Sequence, residues 1–175
     1  THRRTTTSHP FYNSLAKSLI QRSYHRYVSR AHNQLIIPLS RTPQREALYT
    51  WIAPIMPLER AFFSLDTPVS DFAEARRRYQ RIAVGLGTAQ LEILKTQGFS
   101  DKQLYSLKLG DNAPRMLEMG RIDAWFTGVE EGLYLSPQSK RTLKMSPTLS
   151  SADLYLACSK SCDAELVSNL RNAVD

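Results

Sequence analysis

A glycine-rich turn between an apolar run and a helical pattern is the segment of this sequence best suited to binding chemistry. Residues 82–84 are apolar, and a run this short is typical of a buried strand. Gly85 and Gly87 then permit a sharp turn, and Thr88 suits the N-cap of the helix that follows. Free backbone N–H groups and the helix dipole attract an anion to such a helix start. The segment therefore predicts an anion cradle or, as the simpler alternative, an ordinary tight turn.

Dinucleotide chemistry fits the same segment poorly. Gln90 stands where a dinucleotide-binding fingerprint would have its third glycine, and no lysine-serine pair of a phosphate-binding loop follows. We therefore expect no cofactor.

Cysteine and histidine usage offers little further chemistry. Cys158 and Cys162 are separated by three residues, which allows a local disulfide in an oxidising compartment or two free thiols in a reducing one. An imperfect helical pattern covers residues 10–31. His25 and His32 are seven residues apart and could share a helix face, but no cysteine or carboxylate lies near them in the sequence. No metal site is expected.

Charge is concentrated at the start of the chain. The chain has 175 residues and a net charge of +7, and residues 1–45 contain eight Lys or Arg and no acidic residue. A basic arm can attract nucleic acid, but aromatic or glycine-rich recognition motifs are absent, so a solvated basic face is the simpler interpretation and no nucleic-acid partner is expected. Residues 1–8 also lack the apolar region of a signal peptide, so any export signal is expected upstream.

Strand and helix patterns alternate through most of the chain. A strand is predicted at residues 34–39, and extended segments at 49–55 and 58–65 are separated by Pro57. Beyond Ser70 the prediction is strands at 82–86, 104–108, 121–126 and 152–158 and helices at 71–79, 88–97, 112–119, 129–135 and 163–171. This alternation predicts an α/β fold with a mostly parallel sheet covered on both faces. Ligands of such sheets bind beyond the carboxyl ends of the strands, where the glycine turn and Thr127 fall.

Five short motifs follow one another in an order that resembles a known family. They are the strand at 34–39, Ser40-x-Thr-Pro-x-Arg45, Val84-Gly-x-Gly-Thr88, Gly120-Arg-Ile-Asp-Ala124 and Leu154-Tyr-Leu-Ala-x-Ser-Lys160, with an aromatic-rich segment between the second and third. This order resembles the family 3 extracellular solute-binding proteins of bacterial ABC transporters, over about residues 33–175.

The resemblance implies a fold and a division of the chain. The family has the type 2 periplasmic-binding-protein (Venus-flytrap) fold, in which two lobes joined by two crossing strands hold a ligand between them. We expect residues 1–57 to begin lobe 1, residues 58–152 to form lobe 2 and residues 153–175 to return to lobe 1. Residues 1–32 match the family poorly, so the first lobe is expected to be truncated or divergent.

The resemblance also assigns a ligand-binding set. In amino-acid-binding members the position of Arg45 pairs with the ligand's carboxylate, the position of Ser40 donates a hydrogen bond, and Gly87 and Thr88 close on the same carboxylate. A guanidinium binds a carboxylate with two parallel hydrogen bonds, so the residue types fit this role. The alternative for Arg45 is a surface ion pair with Glu46 or another neighbour. Trp51 and Thr127 complete the predicted ligand-binding residues, although a large aromatic residue such as Trp51 is more often part of a core.

The predicted site departs from the family at one position. Gly128 stands where the family has the aspartate that receives the ligand's amino group, so the resemblance implies a carboxylate-bearing ligand without requiring an amine. Asp123 is expected to brace or cap a strand end instead. Glu130 is the carboxylate that an enzyme on this scaffold, such as a dehydratase or lyase, would have available for acid–base chemistry.

The expected function is non-catalytic binding of a small polar solute in the periplasm and its delivery to an ABC permease by a monomeric protein. In that compartment the Cys158–Cys162 disulfide becomes the expected state. A sensor domain of a receptor and an enzyme on the same scaffold remain the alternatives.

Overall fold

The computed structural model describes residues 32–175. The basic residues 1–31, and with them the helix predicted within residues 10–31 and three of the four histidines, lie outside the described part. Within residues 32–175, no helix is long and apolar enough to cross a lipid bilayer.

Seven strands and five α-helices alternate along the described chain. The strands are β1 (Leu35–Ser40), β2 (Tyr49–Ser64), β3 (Ile82–Gly85), β4 (Leu104–Leu107), β5 (Ala124–Gly128), β6 (Lys144–Met145) and β7 (Ser150–Ser159). The helices are α1 (Phe72–Arg78), α2 (Ala89–Thr96), α3 (Ala113–Glu118), α4 (Val129–Leu135) and α5 (Ala164–Val174). Short 3₁₀ turns occupy Glu46–Leu48, Asp101–Gln103 and Ser136–Gln138.

The strands form one sheet in the order β1-β7-β2-β5-β3-β4, and β6 pairs with the end of β2. β3 pairs in parallel with both β4 and β5, as the alternation of strands and helices predicts. The pairings of β1 with β7 and of β2 with β5, β6 and β7 are antiparallel. The predicted parallel core is therefore present, and the long strands that cross from one half to the other make the sheet as a whole mixed.

The two crossing strands are β2 and β7. They pair from Tyr49 with Ser159 at one end to Arg60 with Ser150 at the other. The sequence predicted a break at Pro57, but β2 continues through it as one strand of 16 residues. Residues 54–57 are exposed and pair only with β7, so one edge of β2 has no partner strand here. Pro54 and Pro57 lack a backbone N–H, which is tolerated at such an edge and near the shifts of register that β2 shows at this point.

Apolar side chains gather separately on the two sides of these crossing strands. Both faces of β3, β4 and β5 are covered, by a cluster that includes Phe63, Leu117 and Trp125 on one face and a cluster that includes Phe62, Leu94 and Phe126 on the other. Two smaller clusters, within residues 35–53 and 155–170, form around β1 and the far ends of β2 and β7. We call the region around β3, β4 and β5 the second half, and the region around β1 and the far ends of β2 and β7 the first half.

The start of β5 lies three residues later than predicted because Asp123 holds the preceding loop in place. Its carboxylate accepts hydrogen bonds from the backbone N–H groups of Gln80 (2.8 Å) and Arg81 (2.9 Å). Its own N–H donates to the carbonyl of Arg81 at 2.8 Å. The predicted bracing role of Asp123 is confirmed.

Candidate functional site

Arg45 connects the turn after β1 to the second half. Arg45 is only 7% exposed. Nη1 donates to the carbonyl oxygen of Ser40 at 3.3 Å, and Nη2 donates to that of Gly87 at 3.2 Å. Nε donates to the Oε1 atom of Glu92 at 3.3 Å. The predicted ion pair with Glu46 belongs instead to Arg41, which bonds both carboxylate oxygens of Glu46.

Glu92 supplies the carboxylate that Arg45 binds. It lies in α2, and its second oxygen, Oε2, accepts a hydrogen bond from the hydroxyl of Thr42 at 2.8 Å. The carboxylate is thus held by a guanidinium and a hydroxyl from the first half, and both are donors that a carboxylate can accept from. The sequence prediction did not include Glu92.

Arg60 is a second buried arginine beside Arg45. It is 1% exposed, near the end of β2, and its Nη2 donates to the Ser40 hydroxyl at 2.8 Å. Nε donates to Oε1 of Gln90 at 3.4 Å, and Nη1 has no hydrogen-bond partner among the residues that the structure describes. Burial, and secondly the positive charge of Arg45, lower the pKa of Arg60 to about 10, against the opposing effect of Glu92.

Arg60 was missed because the sequence around it has the pattern of an apolar strand. The available signal was the alternation along β2: Arg60 lies two residues before Phe62, and residues two apart in a strand share one face. Because Phe62 is in the core, an arginine on the same face is predicted to be buried. A buried arginine must find acceptors, which makes it a candidate binding residue.

The glycine turn meets Arg45 through a carbonyl group. Gly87 has a positive φ of 73°, a conformation that glycine adopts without strain, and its carbonyl oxygen accepts from Arg45. Thr88 occupies the N-cap position of α2, as predicted, but its hydroxyl donates to the carbonyl of Gly85 at 2.7 Å and does not cap the helix.

Trp51 and Thr127 lie apart from this cluster. Trp51 is buried in the first half between the rings of Tyr49 and Tyr155, and its indole N–H donates to the carbonyl of Glu46 at 3.2 Å. Thr127 pairs with Ala61 in the sheet and its hydroxyl donates to Glu131 at 3.1 Å. Strand alternation places the Thr127 side chain on the face opposite Arg60. Of the predicted residues, the structure brings Ser40, Arg45 and Gly87 into direct contact.

A cleft of about 210 Å³ adjoins the cluster. The turn after β1 lines one side, and α2 lines the other together with α1 and the start of β7. The lining residues are Thr42, Pro43, Gln44, Phe72, Glu92, Ile93, Thr96, Gln97, Leu149 and Ser150. The cleft is smaller than a typical drug-binding pocket, so it suits a ligand of metabolite size.

Metal chemistry has no support within residues 32–175, because no three His, Cys, Asp or Glu side chains there are grouped to hold an ion. Cys158 and Cys162 are joined by a disulfide that links the end of β7 to the turn before α5. Glu130 is exposed in α4. The chemistry that the cluster of Arg45, Arg60 and Glu92 can perform is the binding of an anion.

Comparison with known proteins gives structural matches alone, since no protein-family model and no curated protein matches the sequence. An arginine-bound mutant of ArgBP from T. maritima is 17% identical with a TM-score of 0.65; the match covers 80% of this chain and 65% of that one. The chain thus spans just under two thirds of that protein's length.

Other matches cover 94% of this chain. A histidine kinase sensor domain with similarity to periplasmic binding proteins has a TM-score of 0.73 at 15% identity, with 78% of that chain covered. A putative L-cystine ABC transporter protein from Listeria monocytogenes has a TM-score of 0.66 at 15% identity, also with 78% covered.

An ancestral amino-acid-binding protein described as a precursor of cyclohexadienyl dehydratase has a TM-score of 0.69 at 17% identity, with 77% of that chain covered. At these identities the matches establish the fold. The antiparallel crossing strands, the parallel β5-β3-β4 core and these neighbours agree: the chain has the type 2 periplasmic-binding-protein fold.

Proposed function

We propose that this chain binds a small carboxylate-bearing solute, without catalysis, between its two halves. The observation that carries the proposal is the environment of Arg45. Its buried guanidinium is held by carbonyl groups of both halves and already binds one carboxylate, that of Glu92. A solute carboxylate would take the place of Glu92 and gain the same charge-assisted hydrogen bonds.

Binding would be coupled to a hinge motion of the crossing strands. We assign residues 1–57 and 153–175 to lobe 1 and residues 58–152 to lobe 2, so the hinge falls in residues 54–59 of β2 and the facing part of β7. Residues 54–57 have few packing constraints, being exposed and paired on one side. A solute that contacts Arg45 from one lobe and α2 from the other would favour the closed state.

The proposed setting is the periplasm, where the protein would act as a monomer and deliver its solute to an ABC permease. The support is the fold, the likeness to a transporter protein and the disulfide, which persists in oxidising compartments.

A receptor sensor domain is the second candidate. It is favoured by the TM-score of 0.73 with a histidine kinase sensor domain. Both roles use the same binding step, and they differ in whether the closed, solute-bound chain associates with a permease.

A thermal-shift screen with small carboxylates tests the binding step. A solute at one hundred times its dissociation constant should add about 2.7 kcal/mol to the free energy of unfolding. Arg45→Ala should abolish that shift, because it removes the anchor. Arg41→Ala is the matched control: it removes a guanidinium from the same turn, one that bonds Glu46 and has no hydrogen bond to the cluster among the described residues. Carboxylate-induced shifts that survive Arg45→Ala would contradict the proposal.

A further inference from the structure

The site contains a buried hydrogen-bond donor that the chain leaves without an acceptor. Nη1 of Arg60 has no partner among residues 32–175, although the residue is 1% exposed. The other two nitrogens of the same guanidinium donate to neutral oxygens, those of Ser40 and Gln90. A buried cation with only neutral acceptors is costly, so this arrangement favours an anion that the described chain does not supply.

The charges of the cluster do not balance. Two guanidinium groups, those of Arg45 and Arg60, lie beside Ser40, and Glu92 is the one carboxylate that bonds either of them within residues 32–175. The cluster thus has a net charge of +1 when Glu92 is counted. Glu92 has a side chain that is 26% exposed, so it would turn towards solvent when displaced, and each guanidinium could then bind one carboxylate of a solute.

The strand that pairs with β2 at Arg60 also has no carboxylate that could bind a positively charged group. Arg60 pairs directly with Gly128 of β5, and a side chain there would lie on the same face. Gly128 has no side chain, and the Cδ1 atom of Leu58 lies 3.2 Å from where its Cβ would be. An ammonium group placed here would meet Arg60 without a carboxylate to receive it.

We propose that Arg60 is a second anion-binding group of the site, and that the solute is a small diacid without an ammonium group. One carboxylate would bind Arg45 in place of Glu92, and the other would accept a hydrogen bond from Nη1 of Arg60. This inference rests on the proposed function and names its substrate class.

The two residues that bond the guanidinium of Arg60 belong to different halves, so a solute could reach the guanidinium when the halves separate. Ser40 ends β1 in the first half, whereas Gln90 lies in the first turn of α2 in the second half. Separation of the halves would move Ser40 away from Gln90 and expose the guanidinium. The cleft also reaches its neighbours, since Leu149 donates to the carbonyl of Arg60 and Ser150 pairs with Arg60 in the sheet.

Isothermal titration of the whole chain with three sets of probes tests the proposal. The sets are unbranched diacids of three to six carbons, the monocarboxylates of equal length, and aspartate and glutamate. The best diacid should bind at least about tenfold more tightly than its monocarboxylate, the effect of one added charge-assisted hydrogen bond. It should also bind more tightly than the amino acid of equal length. Equal binding of diacid and monocarboxylate overturns the inference and leaves the proposed function intact, whereas binding of no carboxylate at all contradicts both.

Two variants locate the effect at Arg60. Arg60→Gln should remove the tenfold preference for the diacid over its monocarboxylate, whereas Arg171→Gln should preserve that preference. Arg171 is a matched control because its part-buried guanidinium donates to the carbonyls of Trp51 and Ile52, away from the site. An unchanged preference in a folded Arg60→Gln protein, checked by circular dichroism, overturns the proposal.

Gly128→Asp approaches the same question without removing Arg60. A carboxylate on the facing strand would neutralise the guanidinium, so the diacid preference should fall about tenfold, and Gly128→Ala should retain it. Retention of the preference in both variants would place the second carboxylate elsewhere and overturn the assignment.

Discussion

Replacing Glu92 with glutamine tests whether this carboxylate occupies the place of the solute. The substitution keeps the shape of the side chain and removes its charge. Arg45 then keeps two backbone carbonyl acceptors but loses its ionic partner, and Thr42 keeps an acceptor of lower strength. Because the ion pair joins the first half to α2, its loss should both destabilise the free protein and make Arg45 easier for a solute to reach.

The size of the effect follows from the burial of the pair. The side chains of Arg45 and Glu92 are 8% and 26% exposed, so the pair lies between exposed pairs, worth at most about 1 kcal/mol, and fully buried ones, whose disruption costs about 3–5 kcal/mol. We expect a loss of about 2 kcal/mol in the free energy of unfolding. For a chain of this size that corresponds to a fall in Tm of about 4–8 °C.

Solute affinity should change in the opposite direction. In the proposed binding mode a solute carboxylate must first displace Glu92 from Arg45, and the amide of glutamine competes less strongly for a cation. If most of the 2 kcal/mol is recovered on binding, affinity should rise about 10- to 30-fold. Differential scanning calorimetry measures the first effect, and isothermal titration with the best carboxylate from the screen measures the second.

Glu46→Gln provides the control, since Glu46 pairs with Arg41 in the same turn but is exposed. It should lower Tm less than Glu92→Gln and leave solute affinity unchanged. Weaker binding by Glu92→Gln would refute the reasoning, because it would mean that Glu92 contacts the solute, for example through an ammonium group, and does not compete with it.

Two further predictions concern stability. Burial raises the pKa of Tyr79, so the folded state keeps this proton at a pH where the unfolded phenol, with a pKa near 10, releases it. The free energy of unfolding should therefore fall as the pH rises above about 10. In urea titrations, Tyr79→Phe should reduce the difference between the free energies measured at pH 9 and pH 11; an unchanged difference would exclude Tyr79 as a cause. A thiol assay on unreduced, denatured protein should find no free thiol. Reduction should cost about 2 kcal/mol, since the Cys158–Cys162 disulfide closes a short loop of sequence separation 4; two free thiols would contradict the prediction.

The sequence predicted the elements of the fold well where local patterns decide them. α4 was predicted with its observed bounds, and β3 and α2 to within one residue at each end, because the apolar period, the glycines and the capping residues agree there. β2 was predicted in two pieces because prolines normally interrupt a strand. Its continuity depends on β7, a partner about one hundred residues away that no local pattern reveals.

The candidate site was predictable in part for the same reason. Ser40, Arg45 and Gly87 belong to short motifs whose order is visible in the sequence. Glu92 and Arg60 acquire their roles only through partners 47 and 20 residues away, Arg45 and Ser40 respectively. Trp51 was predicted to contact the ligand but packs in the first half. Residue type alone does not distinguish a ligand-facing aromatic ring from one in a core.

The position of β7 in the sheet has a consequence for the order in which the chain folds. β1 and β2 are neighbours in sequence, yet β7 lies between them and pairs with both. The sheet of the first half therefore stays open until β7 has been synthesised, while β3, α2, β4 and β5 can already collapse around contacts of short range. Pairings of such high contact order form slowly. β1 and β2 thus remain without the strand that joins them throughout the synthesis of β3, α2, β4 and β5.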